Sequence, residues 1–226
     1  MATTKNPQIP SHHKAIVYDK PGEISTKIET IETPKPGVGE VLLKMTHSGV
    51  CHSDQAVMTN RWTILPYPTQ AGQIGGHEGV GEVVAFGPGT ESSGLKIGDR
   101  AGIKWMAGIC GNCLPCLSGR DACCVNGKIS GYYTPGTFQQ YALAPAHYVT
   151  PIPDGVPSDL AAPLLCGGVT VYAALKKTGA QPVRQTEVCL SISVNISRVI
   201  PLSFQVQAVV WVTSPFRLAA RAWASA

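Results

Sequence analysis

Five of the chain's eight cysteines fall between residues 110 and 124, in the run CGNCLPCLSGRDACC. Cys110, Cys113 and Cys116 are two residues apart, and Cys123 and Cys124 follow as an adjacent pair. Two intervening residues let neighbouring thiolates reach one ion at about 2.3 Å each, and four thiolates with no open position describe a structural zinc. Gly111, Pro115 and Gly119 keep the stretch looped. Spacing leaves the fourth ligand open between Cys123 and Cys124. It also admits an iron–sulfur cluster, or disulfides if the compartment is oxidising.

A second set of chemically able residues is dispersed. Cys51, His52, Ser53 and Asp54 stand in GVCHSDQ, His77 and Glu78 in GGHEGVGEVV, and Cys166 in LLCGGVTVYAALKK. None of these pairs has finger spacing. Singly, a cysteine in an apolar run is core, a lone histidine is packed or exposed, and the two acids are ordinary surface groups.

These stretches carry a resemblance. SGVCHSD, GGHEGVGEVV, IGDRAGIKWMAGICGNCLPC, GTFQQYALA and LLCGGVTVYAALK occur in order within residues 12–182. The chain resembles the zinc-dependent alcohol dehydrogenases of the medium-chain dehydrogenase/reductase superfamily, in their fungal, yeast-type form. The resemblance implies two zinc ions per chain. Cys51, His77 and Cys166 would hold the catalytic ion, with water or alcohol in the fourth position. Cys110, Cys113, Cys116 and Cys124 would hold the structural one, which leaves Cys123 as an extra.

The implied reaction oxidises a short primary alcohol to its aldehyde. A Lewis-acidic zinc lowers the pKa of a bound hydroxyl, and hydride passes to NAD, which carries the difficult chemistry. By resemblance Ser53 takes the alcohol proton. The histidine that finishes this relay in many relatives is replaced by Ala56, so the last proton step falls to water or another group. His52 matches a basic residue that touches the cofactor pyrophosphate, and a histidine there grips phosphate less firmly than arginine. Asp54 is expected to accept the free N–H of His77 and fix its tautomer, with Glu78 close to the metal. Trp62 and Trp105 match bulky residues that narrow the substrate pocket. His12, His13, His47 and His147 receive no role.

The elements that must position these residues read as mainly β with some α. KAIVYD (residues 14–19), EVLLKMTHSGV, GVGEVVAFG and FQQYALAPAHYVTPIP read as strands separated by Gly and Pro clusters. They fit a partly open GroES-like β-barrel over residues 1–157, with the cysteine loop as a metal-stapled lobe. SDLAAPLLCGGVTVYAALKKTG reads as a helix over residues 158–182, with Ser158 as N-cap and Gly179 as its stop.

Residues 183–226 depart from the family. A Rossmann domain should begin there with a glycine-rich turn that admits a pyrophosphate. No glycine occurs from Gln181 onward, and no downstream acid could grip a ribose. The Rossmann half is expected to be essentially missing, and Val199–Thr213 is β-prone and apolar, an aggregation hazard if exposed. The tail is expected to lack a native fold and the chain to turn over little or no substrate. The alternative is a non-catalytic zinc-binding fragment or an interaction module.

Composition bounds the remaining classes. The net charge is +4 at pH 7, and residues 184–226 carry four arginines against one acid. The remainder is near neutral, which argues against a nucleic-acid partner. No apolar leader and no run of eighteen apolar residues is evident, so a cytoplasmic protein with a small-molecule substrate and no membrane partner is expected. Relatives form homo-oligomers. The tail's Arg, Ala and Trp content suits glycine codons read out of frame, or an unspliced intron. Sequencing the transcript across codon 183 is expected to reveal such a break; a correctly spliced message encoding the same tail would refute it.

Overall fold

The computed structural model describes residues 8–177 and 209–212. Eleven strands are described: β1 (His12–Tyr18), β2 (Thr26–Glu32), β3 (Glu40–Val50), β4 (Gln73–Ile74), β5 (Gly79–Phe86), β6 (Arg100–Ile103), β7 (Met106–Gly108), β8 (Lys128–Ile129), β9 (Tyr141–Pro145), β10 (Thr150–Pro151) and β11 (Val209–Val212). Helices are α1 (His52–Met58), α2 (Leu114–Leu117), α3 (Ser158–Pro163) and α4 (Val169–Lys177).

β3 is the axis of the larger sheet, whose order is β10-β6-β5-β3-β11. One edge of β3 pairs with β5. The other edge is shared, with β9 along Glu40–Lys44 and β11 along His47–Val50. Val41, Leu43 and Met45 reach one core with Val83, Ala101, Ile103 and Ala142. Leu42 points the opposite way, to Val84 and Tyr141. The strand is apolar on both faces because both are covered. Irregular register at Leu42/Leu43 and Met45/His47 adds the local twist that bulges produce.

β1 lies between β2 and β4 in a second sheet of three strands. Backbone bonds from Ile16 N to Phe138 O (2.8 Å) and from Gln140 N to Lys14 O (3.1 Å) join the two sheets. The strands curve together without closing a ring among the described residues, which agrees with the partly open GroES-like barrel.

Sequence and structure differ in places. β2 (TKIETIE) was not expected. It is an edge strand with mostly exposed side chains, so its apolar signal is thin. The stretch 138–153 breaks into β9 and β10, because Tyr148 and Val149 both turn back to the Pro145 carbonyl. Ser158 is not the helix cap. Pro157 occupies that position, and the Ser158 hydroxyl instead accepts from Arg100 Nη1 at 3.1 Å. Gly179 and most of the tail lie outside the described residues, although Val209–Val212 within the β-prone stretch does form β11.

A π turn at Leu164–Gly168 joins α3 to α4. Together Ser158–Lys177 form a helix long and apolar enough, by length and composition, to cross a membrane; Asp159, Thr170 and Lys176 interrupt its apolar residues, so it holds no unbroken run of eighteen. Its inner side packs on the sheet: Ala161, Ala162 and Leu165 meet Val80, Ile152 and Val156. The Leu165 methyls press on Gly102, where a Cβ would sit 2.7 Å from the nearer one. Leu160, Leu164, Val169, Val171 and Tyr172 remain exposed. Leu165→Ala is expected to lower the unfolding free energy by about 2–3 kcal/mol, read from urea denaturation. An unchanged midpoint would show that this contact does not seat the helix.

Candidate metal centres

Cys51 directly follows β3 and caps α1, His77 and Glu78 directly precede β5, and Cys166 sits in the π turn. Three separate pieces of chain therefore converge. The ligand atoms of Cys51, His77, Glu78 and Cys166 all lie within 4.8 Å of one another. π turns are a recurrent means of aiming a side chain at a functional centre.

Asp54 organises this cluster. It is 5% exposed. Its Oδ2 accepts the Cys51 backbone N–H at 2.8 Å. Its Oδ1 accepts from His77 Nδ1 at 2.9 Å and from the Gly76 N–H at 3.2 Å. The bond to Nδ1 fixes the imidazole tautomer and leaves the Nε2 lone pair facing the sulfurs. His77 is 1% exposed, and Nε2 has no hydrogen-bond partner, as is also true of Glu78 Oε2. Such buried orphans are costly unless something binds them.

The electrostatics point the same way. The neighbouring Cys166 thiol, more than any other group, drops the Cys51 thiol to about 3. The Cys166 thiol is correspondingly pushed up, chiefly by that same bond to Cys51. Burial opposes charge on His77, yet Asp54 and then Cys51 override it and raise the imidazole to about 10. Burial lifts Glu78 to about 7. A divalent cation would relieve the crowding of donors that raises Cys166 and His77. Two sulfurs and an imidazole suit zinc with an open coordination position.

The aromatic wall is also assembled. Trp105 meets the His77 ring edge-on at 4.9 Å, and Trp62 meets Trp105 at 5.4 Å. Ser53 Oγ lies 3.5 Å from Cys51 Sγ. His52 is exposed on the first turn of α1 and Ala56 is buried. The remaining histidines stay apart from the cluster: His13 is buried between Thr33 and Gln139, His47 bonds Thr46, and His12 and His147 are exposed.

Cys110, Cys113, Cys116 and Cys124 form the second cluster, again with all sulfurs within 4.8 Å. Adjacent sulfurs are 3.4 to 3.9 Å apart. The Asn112 and then the Cys113 backbone N–H lower the Cys110 thiol to about 6. Four sulfurs and no other donor fit a closed, structural ion. Cys123 is exposed and outside the cluster.

Sequence reasoning missed Tyr18. Its hydroxyl donates to the Asp54 carbonyl at 3.3 Å and sits where a Cβ on Gly75 would be, at 2.0 Å. Nothing in a strand-end tyrosine distinguishes this from core. It also missed Lys104, Asp121 and Tyr148, which meet beside the cysteine loop; they are distant in sequence and match no motif.

The family model described as the alcohol dehydrogenase GroES-like domain matches residues 37–154. Alcohol dehydrogenase 2 of Emericella nidulans is 65% identical over 176 residues, covering 78% of this chain and 48% of the relative. The alcohol dehydrogenase of Schizosaccharomyces pombe is 42% identical over 168 residues, covering 74% and 47%. Among solved structures, acetophenone reductase from Geotrichum candidum in complex with NAD superimposes with a TM-score of 0.65 at 35% identity, covering 75% of this chain and 48% of that one. A cobalt- and zinc-bound thermostable alcohol dehydrogenase from Pyrobaculum aerophilum gives 0.65 at 29% identity, covering 76% and 50%. The chain spans about half the length of the curated relatives it matches.

Asp54→Asn removes the anion that orients His77. It is expected to weaken metal retention at the Cys51–His77–Cys166 cluster by about 10- to 100-fold and leave the four-cysteine loop unaffected. Competition with a chromophoric chelator measures both. Equal retention at the first cluster would remove Asp54 from its assigned part.

Proposed function

The chain belongs to the alcohol dehydrogenase GroES-like domain family, and from that premise we propose that it carries the zinc-binding half of an enzyme oxidising short primary alcohols to aldehydes with NAD. One observation supports the reading above others. Cys51, His77 and Cys166, remote in sequence, converge on a buried nitrogen that has no partner. We place the catalytic domain at residues 1–157, a connecting helix at 158–182 and a divergent tail at 183–226, in a cytoplasmic protein.

Cys51, His77 and Cys166 would hold the first zinc, and Cys110, Cys113, Cys116 and Cys124 the second. When bound, the first ion supplies Lewis acidity toward a hydroxyl oxygen and NAD supplies the hydride acceptor. Everything else falls to the chain's own side chains. Asp54 holds the Nδ1 proton of His77, so Nε2 keeps its lone pair. Ser53 Oγ, beside the Cys51 sulfur, receives the alcohol proton. Ala56 cannot pass that proton on, so it leaves to solvent. The crossed indoles of Trp62 and Trp105 exclude water and confine the substrate to a narrow slot. His52, exposed at the start of α1, contacts the cofactor pyrophosphate.

The lack of a glycine-rich turn in residues 181–226 favours a second reading, a zinc-binding polypeptide without turnover. Two measurements separate the readings. Metal analysis of the purified chain is expected to give two zinc ions; a single ion would leave only the cysteine loop. Ethanol-dependent reduction of NAD is expected to be absent from the chain alone and restored in a chimera with the second half of a fungal relative. A chimera that binds two zinc ions but stays inactive would sink the enzymatic reading.

A further inference from the structure

The cysteine loop has little besides its sulfurs to hold it. No residue from 109 to 127 is buried, and Leu114, Leu117 and Val125 are 73 to 75% exposed. Among the described residues, and apart from the β7–β8 ladder at its base, one side-chain hydrogen bond ties this stretch to the rest of the chain. The Tyr148 hydroxyl donates it to the Asp121 carboxylate.

Both ends of that bond are anchored. Tyr148 lies in the turn between β9 and β10, and the Lys104 ammonium sits 3.7 Å from its ring centroid. Lys104 Nζ also donates to the Tyr148 carbonyl and, at 3.4 Å, to Thr150 Oγ1. Lys104 follows directly on β6, whose Gly102 pairs with Thr150. The ring is thus clamped to the large sheet by a cation over its face and by that cation's hydrogen bonds. At the loop end, Asp121 opens the 3-10 turn Asp121–Cys123. Its carbonyl accepts the Cys124 N–H at 2.9 Å. Chain direction at the fourth sulfur is therefore set by a residue that the sheet holds through one phenol.

We propose that Lys104, Tyr148 and Asp121 form a strut that positions Cys124 and sets how firmly the four-cysteine loop retains its ion, a role that rests on reading the loop as a metal site. All three are positioning residues; the ligands are the sulfurs.

The full chain loaded with cobalt tests this, because sulfur-to-cobalt charge-transfer bands distinguish a four-sulfur site from one with a nitrogen ligand. Cobalt loss to excess chelator is then followed at each site. Tyr148→Phe removes only the hydroxyl. It is expected to speed loss from the four-sulfur site roughly tenfold, the scale of a lost hydrogen bond to a charged group. Retention of the ion at Cys51–His77–Cys166 should not change. Asp121→Asn, which keeps an acceptor, should fall between, and Lys104→Met should act in the same direction as Tyr148→Phe. Retention equal to the unsubstituted chain would overturn the strut, as would parallel acceleration at both sites. An unsubstituted chain that shows no four-sulfur spectrum would overturn the strut and the metal reading of the loop together.

Discussion

The first cluster depends on one buried carboxylate. Asp54 accepts from the backbone at Cys51, from the backbone at Gly76 and from the ring of His77. Those bonds tie the end of β3 to the turn before β5 and fix the tautomer of the imidazole between them. A buried anion costs several kcal/mol unless its oxygens are occupied. Here they are, and the arrangement brings a thiolate and an imidazole nitrogen to one point. The glycines around it follow from the same crowding. A Cβ on Gly49 would stand 2.0 Å from Glu78 Oε2, and one on Gly75 would meet the Tyr18 hydroxyl.

The two clusters are stabilised in opposite ways. At the first, the sheet core and the packed helix bring the donors together. Cys166 arrives because Leu165, its neighbour, is buried against Val80 and Gly102. At the second there is no core. The loop's large apolar residues face solvent, and its internal order comes from short turns and sulfur contacts. A metal ion bound there supplies folding free energy that burial does not. The helix Ser158–Lys177 combines both conditions. Its inner side seats Cys166, while Leu160, Leu164, Val169, Val171 and Tyr172 stay uncovered, an apolar surface of the sort that marks interaction or association.

Legibility varied with the source of each signal. β3 was readable to the residue because Val41, Leu42, Leu43 and Met45 form a dense apolar run between charged and glycine-rich flanks. β2 was not, since an exposed edge strand needs little apolar content. Ser158 looked like a cap by type, and only the position of Arg100 showed that its hydroxyl was engaged elsewhere. The cysteine loop was legible because its four clustered sulfurs lie within fifteen residues and spacing alone limits what they can do. Cys124, rather than Cys123, was left open by spacing. Past the 3-10 turn Asp121–Cys123, the Cys124 sulfur joins the other three while Cys123 stays exposed.

The sequence by itself determined the donor chemistry, the looped character of residues 110–124 and the alternation that makes the strands. Those are local properties, set by side-chain type and by spacings of a few residues. The tertiary structure decided which distant residues meet. Cys51 and Cys166 are separated by most of the domain, and Tyr18, Tyr148 and Lys104 carry no mark of their partners. Their contacts exist because the sheets pack in one register and the helix can seat only where Gly102 leaves room, a long-range constraint that no short window of sequence contains.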